Sequence, residues 1–192
     1  MKQSAFAFLE SERLILRRFA DADLLPFLSY LNDPLVARYQ TWESYTERGA
    51  KEVIEQQRNL EPGMPGQWFS FALELKETRT LIGHVSFKME EDRQQTEIGF
   101  TLARMYHRQG LAFEASACVI DYLFGELGLH RVTAIVDCEN ERSISLLSRL
   151  GMRREGHFVE NIWFKGKWGS EYAYAVLRDE WLSKRPKPLA PL

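Results

Sequence analysis

Cysteine is scarce in this chain: Cys118 and Cys138 are the only two in 192 residues, too few for a disulfide scaffold. Cys118 falls on an expected helix among apolar neighbours and Cys138 just past an expected strand, so buried free thiols are the simpler reading. The four histidines, His84, His107, His130 and His157, are scattered. With neither His-Glu-x-x-His nor Cys-x-x-Cys spacing present, no metal site is expected. No apolar run approaches a membrane span, and Met1 to Glu10 lacks the basic start and apolar core of a signal peptide, so no membrane association and a cytoplasmic setting are expected. A net charge of -2 provides no basic excess for nucleic acid. A Gly-x-Gly-x-x-Gly run and a glycine followed by Lys-Ser/Thr are both missing, which argues against dinucleotide binding and nucleotide hydrolysis.

What is present is material for one core: 45% of the residues are hydrophobic and 27% charged. Arg13 to Arg18 reads as a first strand, with Leu14 and Leu16 alternating. Asp21 to Asp23 offer caps for a helix running through Leu31, and Asn32-Asp33-Pro34 ends it. Thr46 to Leu60 carries Ala50, Val53, Ile54 and Gln57 on one helical face, and Glu61 to Gly66 breaks it. Trp68 to Leu75 and Leu81 to Lys88 read as an antiparallel hairpin. In the next strand, Thr96 to Leu102, Ile98, Phe100 and Leu102 share one face while Glu97, Gly99 and Thr101 share the other. A long amphipathic helix follows, with Leu111, Ala115, Cys118 and Tyr122 in its apolar stripe, and then a strand from Arg131 to Val136. Antiparallel strands, a strand-helix-strand crossover and further strands predict a mixed α/β (α+β) sheet with helices on both faces. A single domain over residues 1–185 is expected, followed by a proline-rich, poorly ordered tail over 186–192.

The most informative run is His107-Arg108-Gln109-Gly110-Leu111-Ala112, placed between a strand and a helix. The first amides of a helix lack intrahelical partners and carry the positive end of its dipole, so a phosphate can rest there where side chains stay small. Alone, the run reads better as a tight turn into a core helix. A second segment changes the balance: Asn140-Glu141-Arg142-Ser143, then an apolar helix, then Leu150-Gly151-Met152 and Glu155-Gly156.

Together these segments, with Tyr172-Ala173-Tyr174 to Glu180-Trp181, resemble the GNAT acetyltransferases and, within them, the RimJ/RimL branch, over Glu12 to Trp181. The resemblance implies a mostly antiparallel sheet of about seven strands with a V-shaped splay between the fourth and fifth. It implies acetyl-CoA as co-substrate, its pyrophosphate held by amides along His107, Arg108, Gln109, Gly110, Leu111 and Ala112. Most members have Gln or Arg at the position of His107 and glycine at that of Arg108. The resemblance also places the pantetheine arm against backbone groups of Phe100 and Leu102, with Asn140 on the far side. For Asn140 a helix cap is the competing role, and for Ser143 service to the local backbone competes with contact to the coenzyme.

Transfer to an amine needs a neutral nitrogen, an oxyanion stabiliser and preferably an acid for the thiolate. Glu97 is the candidate base by the same resemblance, with a cross-strand ion pair as its alternative. Many members place the acid in the helix after the Asn motif, where this chain has Leu147; Ser143, Tyr106 and Tyr174 are the substitutes. Trp42, Tyr45 and the Glu61 to Gly66 loop are expected on the acceptor side. The acceptor is then an amine, either a protein N-terminus or a small molecule, in a monomer or a homodimer. A non-catalytic acyl-CoA sensor is the competing function.

Overall fold

The computed structural model describes residues 8–184; the proline-rich tail expected over 186–192 lies outside them. Eight strands form one sheet in the order β1-β2-β3-β4-β5-β6-β8-β7. They are β1 (Phe8–Glu10), β2 (Leu14–Arg17), β3 (Trp68–Leu75), β4 (Thr80–Met89), β5 (Gln95–Leu102), β6 (Arg131–Asp137), β7 (Arg153–Phe164) and β8 (Lys167–Leu177). All neighbours pair antiparallel except β5 and β6. The sheet thus has eight strands where about seven are expected from the sequence. The additional one, β1, is only three residues long, too short to show a period. The expected splay therefore falls between β5 and β6.

Six helices flank the sheet: α1 (Leu24–Leu31), α2 (Pro34–Ala37), α3 (Glu47–Asn59), α4 (Leu111–Gly125), α5 (Glu141–Arg149) and α6 (Arg178–Ser183). Thr46 caps α3 through Gly49 N–H, and Asp33, followed by Pro34, caps α2 through Leu35 N–H, as their side chains predict. Asp23 does not cap α1. Its carboxylate is 3% exposed and binds Arg17 and the Ala20 amide instead, because a buried charge needs a charged partner more than a helix end needs a cap.

Alternation along the strands divides the apolar side chains between the two faces. Leu14, Leu16, Phe69, Phe71, Val85, Phe87, Ile98, Val132 and Ala134 pack with Leu111, Ala115, Val119 and Leu123 of α4 and with Leu146, Leu147 and Leu150 of α5. On the opposite face, Ala72 and Leu81 meet Phe27, Tyr30 and Leu31 of α1 and Ala50 and Ile54 of α3. Each fully buried Phe or Leu contributes about 1.5–3 kcal/mol. This packing makes the sheet a rigid base for the divergence of β5 from β6.

Candidate acetyl-transfer cleft

The pairing of β5 with β6 runs only through Gln95↔Arg131, Thr96↔Val132 and Glu97↔Thr133, although β5 continues to Leu102 and β6 to Asp137. Past Glu97 the two strands separate. The Thr96 carbonyl accepts from Thr133 Oγ1 at 3.1 Å, so it faces β6. Backbone direction repeats every second residue, and Ile98, Phe100 and Leu102 therefore turn their polar groups into the gap. Gly83 makes this edge possible, since a Cβ there would lie 2.2 Å from the Thr101 carbonyl oxygen.

The gap opens into a cleft of about 630 Å³, within the range of small-ligand sites. Nine of the residues expected at the site line it: Phe100, Leu102, His107, Arg108, Gly110, Leu111, Ala112, Asn140 and Ser143. Two do not. Gln109 turns its side-chain amide back to the Met105 carbonyl, and its own carbonyl accepts from Arg13. Glu97 lies below the opening, where the two strands are still paired.

At the α4 end of the cleft, Gly110 caps the helix in the left-handed region, with φ 79° and ψ -5°. Arg108 is left-handed as well, with φ 62°, a conformation that a glycine would adopt at less cost. The turn is clamped from the connection between β1 and β2. Arg13 donates from its backbone N–H and from Nε to the Glu114 carboxylate at 2.6 and 2.7 Å, and Ser11 Oγ donates to it at 2.7 Å. Burial works against the charged form of Glu114, but these hydrogen bonds prevail and hold its carboxyl below the ordinary range.

His107 links three elements. One ring nitrogen, Nδ1, lies 3.3 Å from the Arg142 guanidinium, which can only donate. The other, Nε2, therefore carries the hydrogen and donates to the Leu102 carbonyl at 2.9 Å. That carbonyl is consequently engaged within the protein. The Asn140 side-chain oxygen accepts from Ser143 N–H at 3.2 Å, so the residue is a helix cap, while its Nδ2 is left for the cleft. Ser143 is half-buried in the first turn of α5.

The far wall consists of Val36, Arg38, Tyr39 and Gln40, which have no periodicity to reveal them in the sequence. Tyr39 Oη donates to the Glu139 carbonyl at 3.1 Å, Gln40 Nε2 donates to Thr101 Oγ1 at 3.2 Å, and Lys165 Nζ caps the Ala37 carbonyl. Trp42 and Tyr45, expected on the acceptor side, stand behind this wall and pack with α1 and α3. The Glu61 to Gly66 loop is likewise absent from the lining. Both thiols are only half-buried, not buried as expected, and neither is in a disulfide.

Glu97 is half-buried on the strand face opposite α4, beside Lys88 of β4. Burial raises its carboxyl above the ordinary value; Glu90 and Glu171 add to this and Lys88 opposes it. Leu147, at the position where the family resemblance expects the acid, is 1% exposed in the main core, and Tyr174 is 5% exposed in the same core. Neither reaches the cleft, whereas Tyr106 does.

The GNAT acetyltransferase domain family matches residues 13–153, a span that holds both sides of the cleft. The chain is a GNAT acetyltransferase. It is 32% identical over 175 residues to the uncharacterized N-acetyltransferase YnaD of Bacillus subtilis, covering 90% of this chain and 98% of that one. It is 27% identical over 122 residues to the [ribosomal protein uS5]-alanine N-acetyltransferase of Escherichia coli, covering 62% and 63%. Among solved structures, the GNAT-family acetyltransferase from Bacillus anthracis superposes with a TM-score of 0.83 at 30% identity, covering 90% of this chain and 99% of that one. GNAT acetyltransferases use acetyl-CoA. The left-handed turn before a 15-residue helix and the open β5 edge suit a phosphate and an amide-bearing arm.

Proposed function

We propose that this GNAT enzyme transfers the acetyl group of acetyl-CoA directly to a primary amine, with a protein N-terminal α-amine as the favoured acceptor. The observation that carries the reading is the open edge of β5 at Phe100 and Leu102 facing Asn140 across the cleft, with the Gly110 turn at one end. The arm lies between these groups as an added strand. The amides from Arg108 to Ala112 hold the pyrophosphate, and the Leu102 amide and Asn140 Nδ2 hold the arm. Ser143 offers a hydrogen bond to the sulfur. Glu97, set below the cleft, withdraws the amine proton through water.

The α-amine is favoured on proton arithmetic. With reference pKa values of about 7.7 to 8 for an α-amine and about 10.4 for lysine, deprotonation at neutral pH costs roughly 1 kcal/mol against about 4 to 5 kcal/mol. A single carboxylate acting through water suits the smaller demand. The relative that acetylates a ribosomal-protein alanine supports the same reading.

The test is release of free coenzyme thiol from acetyl-CoA with alanine-initiated peptides, lysine side-chain peptides and polyamines, alongside calorimetric titration of acetyl-CoA. Release dependent on peptide N-termini is expected. Release with polyamines alone would reassign the enzyme to small-molecule amines, and binding without release would make it a sensor.

A further inference from the structure

Transfer to an amine produces a thiolate, and the residue that protonates it in many relatives is replaced here by the buried, apolar Leu147. We propose that Tyr39 fills this role as the acid that delivers a proton to the departing coenzyme sulfur. The inference rests on the acetyl-transfer reading above.

The argument begins with the direction of the ligand. Its phosphates are assigned to the Gly110 turn, on the sheet face covered by α4, and its arm to the gap between the β5 edge and Asn140. The reacting end therefore emerges toward the opposite wall, where Val36, Tyr39, Gln40 and Thr101 stand. Of the hydroxyls lining the cleft, Tyr106 belongs to the turn that leads into His107, at the phosphate end. Thr101 is 5% exposed and carries only an aliphatic hydroxyl. Ser143 and Ser145 lack an ionisation in the accessible range.

Tyr39 meets the requirements of position and acidity. Its hydroxyl crosses the cleft to the carbonyl of Glu139, the residue immediately before Asn140, so its proton rests next to the assigned path of the arm. The Arg38 guanidinium lies over its ring at 5.1 Å, and neighbouring ties at Ala37 and Gln40 fix the segment on both sides. A phenol is a far stronger acid than an aliphatic alcohol, which sets this hydroxyl apart from those of Thr101, Ser143 and Ser145.

The step balances. The amine nitrogen attacks the thioester carbon and a C–N bond forms. The adduct collapses, the C–S bond breaks with its electron pair on sulfur, and the sulfur takes the Tyr39 proton. The surplus proton on nitrogen passes through water to Glu97 and returns through solvent to the tyrosinate. The products are the amide and the free thiol.

The experiment compares Tyr39→Phe with wild type and with Tyr106→Phe, following thiol release from acetyl-CoA with an alanine-initiated peptide from pH 6 to 10. For Tyr39→Phe, kcat should fall ten- to hundredfold while the acetyl-CoA Kd from calorimetry stays within twofold. The alkaline fall in wild-type kcat, caused by loss of the acid's proton, should disappear. Placing 3-fluorotyrosine at position 39 keeps the ring and hydroxyl and should move that fall to lower pH. An unchanged kcat, a loss confined to KM, or an alkaline limb that ignores both changes would overturn the assignment while wild-type turnover stands. A wild-type protein that binds acetyl-CoA and turns over no acceptor would overturn the acetyl-transfer reading, and this proposal with it.

Discussion

Among single residues, Glu97 shows how position separates two uses of a carboxylate. In an alternating strand it is equally a surface partner or a base. The structure gives it Lys88 as a cross-strand neighbour, but burial dominates and raises its carboxyl above the ordinary value of 4.5. A base works in its ionised form, so the rate should rise with pH through that raised value. Glu97→Gln should lower kcat at least tenfold and abolish this acid limb, with acetyl-CoA affinity unchanged, as read from pH profiles of thiol release. An unaltered profile would leave Glu97 as the partner of Lys88. Arg108 teaches the opposite lesson: its left-handed φ of 62° was not legible in the sequence, since nothing in an arginine announces a positive φ.

At the scale of elements, legibility followed the range of the interaction. The turn into α4 could be read because a glycine, a small residue and a 3.6-residue apolar stripe lie within one stretch of chain. The helix that Thr46 caps was marked by equally local chemistry, whereas Asn32-Asp33-Pro34 read only as the end of α1, and the four-residue α2 that Asp33 caps was too short to show a period. The clamp beneath the phosphate turn was not readable, because Arg13 and Glu114 are 101 residues apart and meet only once β2 packs beside α4. The Tyr39 wall was missed because its segment has no period. The length of β7 was hidden because most of its residues are exposed, leaving no alternation to detect. The clamp has its own consequence: Glu114→Gln should release Arg13 from the carboxylate and the Gln109 carbonyl from Arg13, loosening the turn. Acetyl-CoA Kd should rise about three- to tenfold by calorimetry, with the acceptor KM changing less than twofold. The Glu114 carboxyl is depressed in the fold, so the clamp is complete above the unfolded value of about 4.5 and lost only as pH falls through the lower folded one. Between pH 6 and 8 the wild-type Kd should owe no pH dependence to this group.

For the molecule as a whole, the sheet must hold still where β5 and β6 part, and its other end is secured by charge as well as by apolar packing. Arg17 of β2 donates to Asp23 at 2.7 Å and to Glu74 of β3 at 2.6 Å. The two carboxylates are 3% and 5% exposed, and the pairing raises the Arg17 pKa against the cost of its own burial. Such a group adds little net stability over apolar residues of the same shape, but removing one member leaves the others charged and unpaired, at about 3–5 kcal/mol. Glu74 would retain Arg79 at 2.8 Å, whereas Asp23 has no second ion-pair partner among the described residues. Arg17→Ala should therefore fall at the lower end, near 3 kcal/mol, in urea unfolding. Adding Asp23→Asn, which removes the stranded charge and keeps an acceptor for the Ala20 amide, should recover about 1 kcal/mol or more. Acetyl-CoA affinity of the folded protein should be unchanged in both variants, because none of these side chains lines the cleft. If Arg17→Ala instead weakened acetyl-CoA binding severalfold in a fully folded protein, the two ends of the sheet would be mechanically coupled, and the rigidity assumed for the β5–β6 divergence would have to be given up.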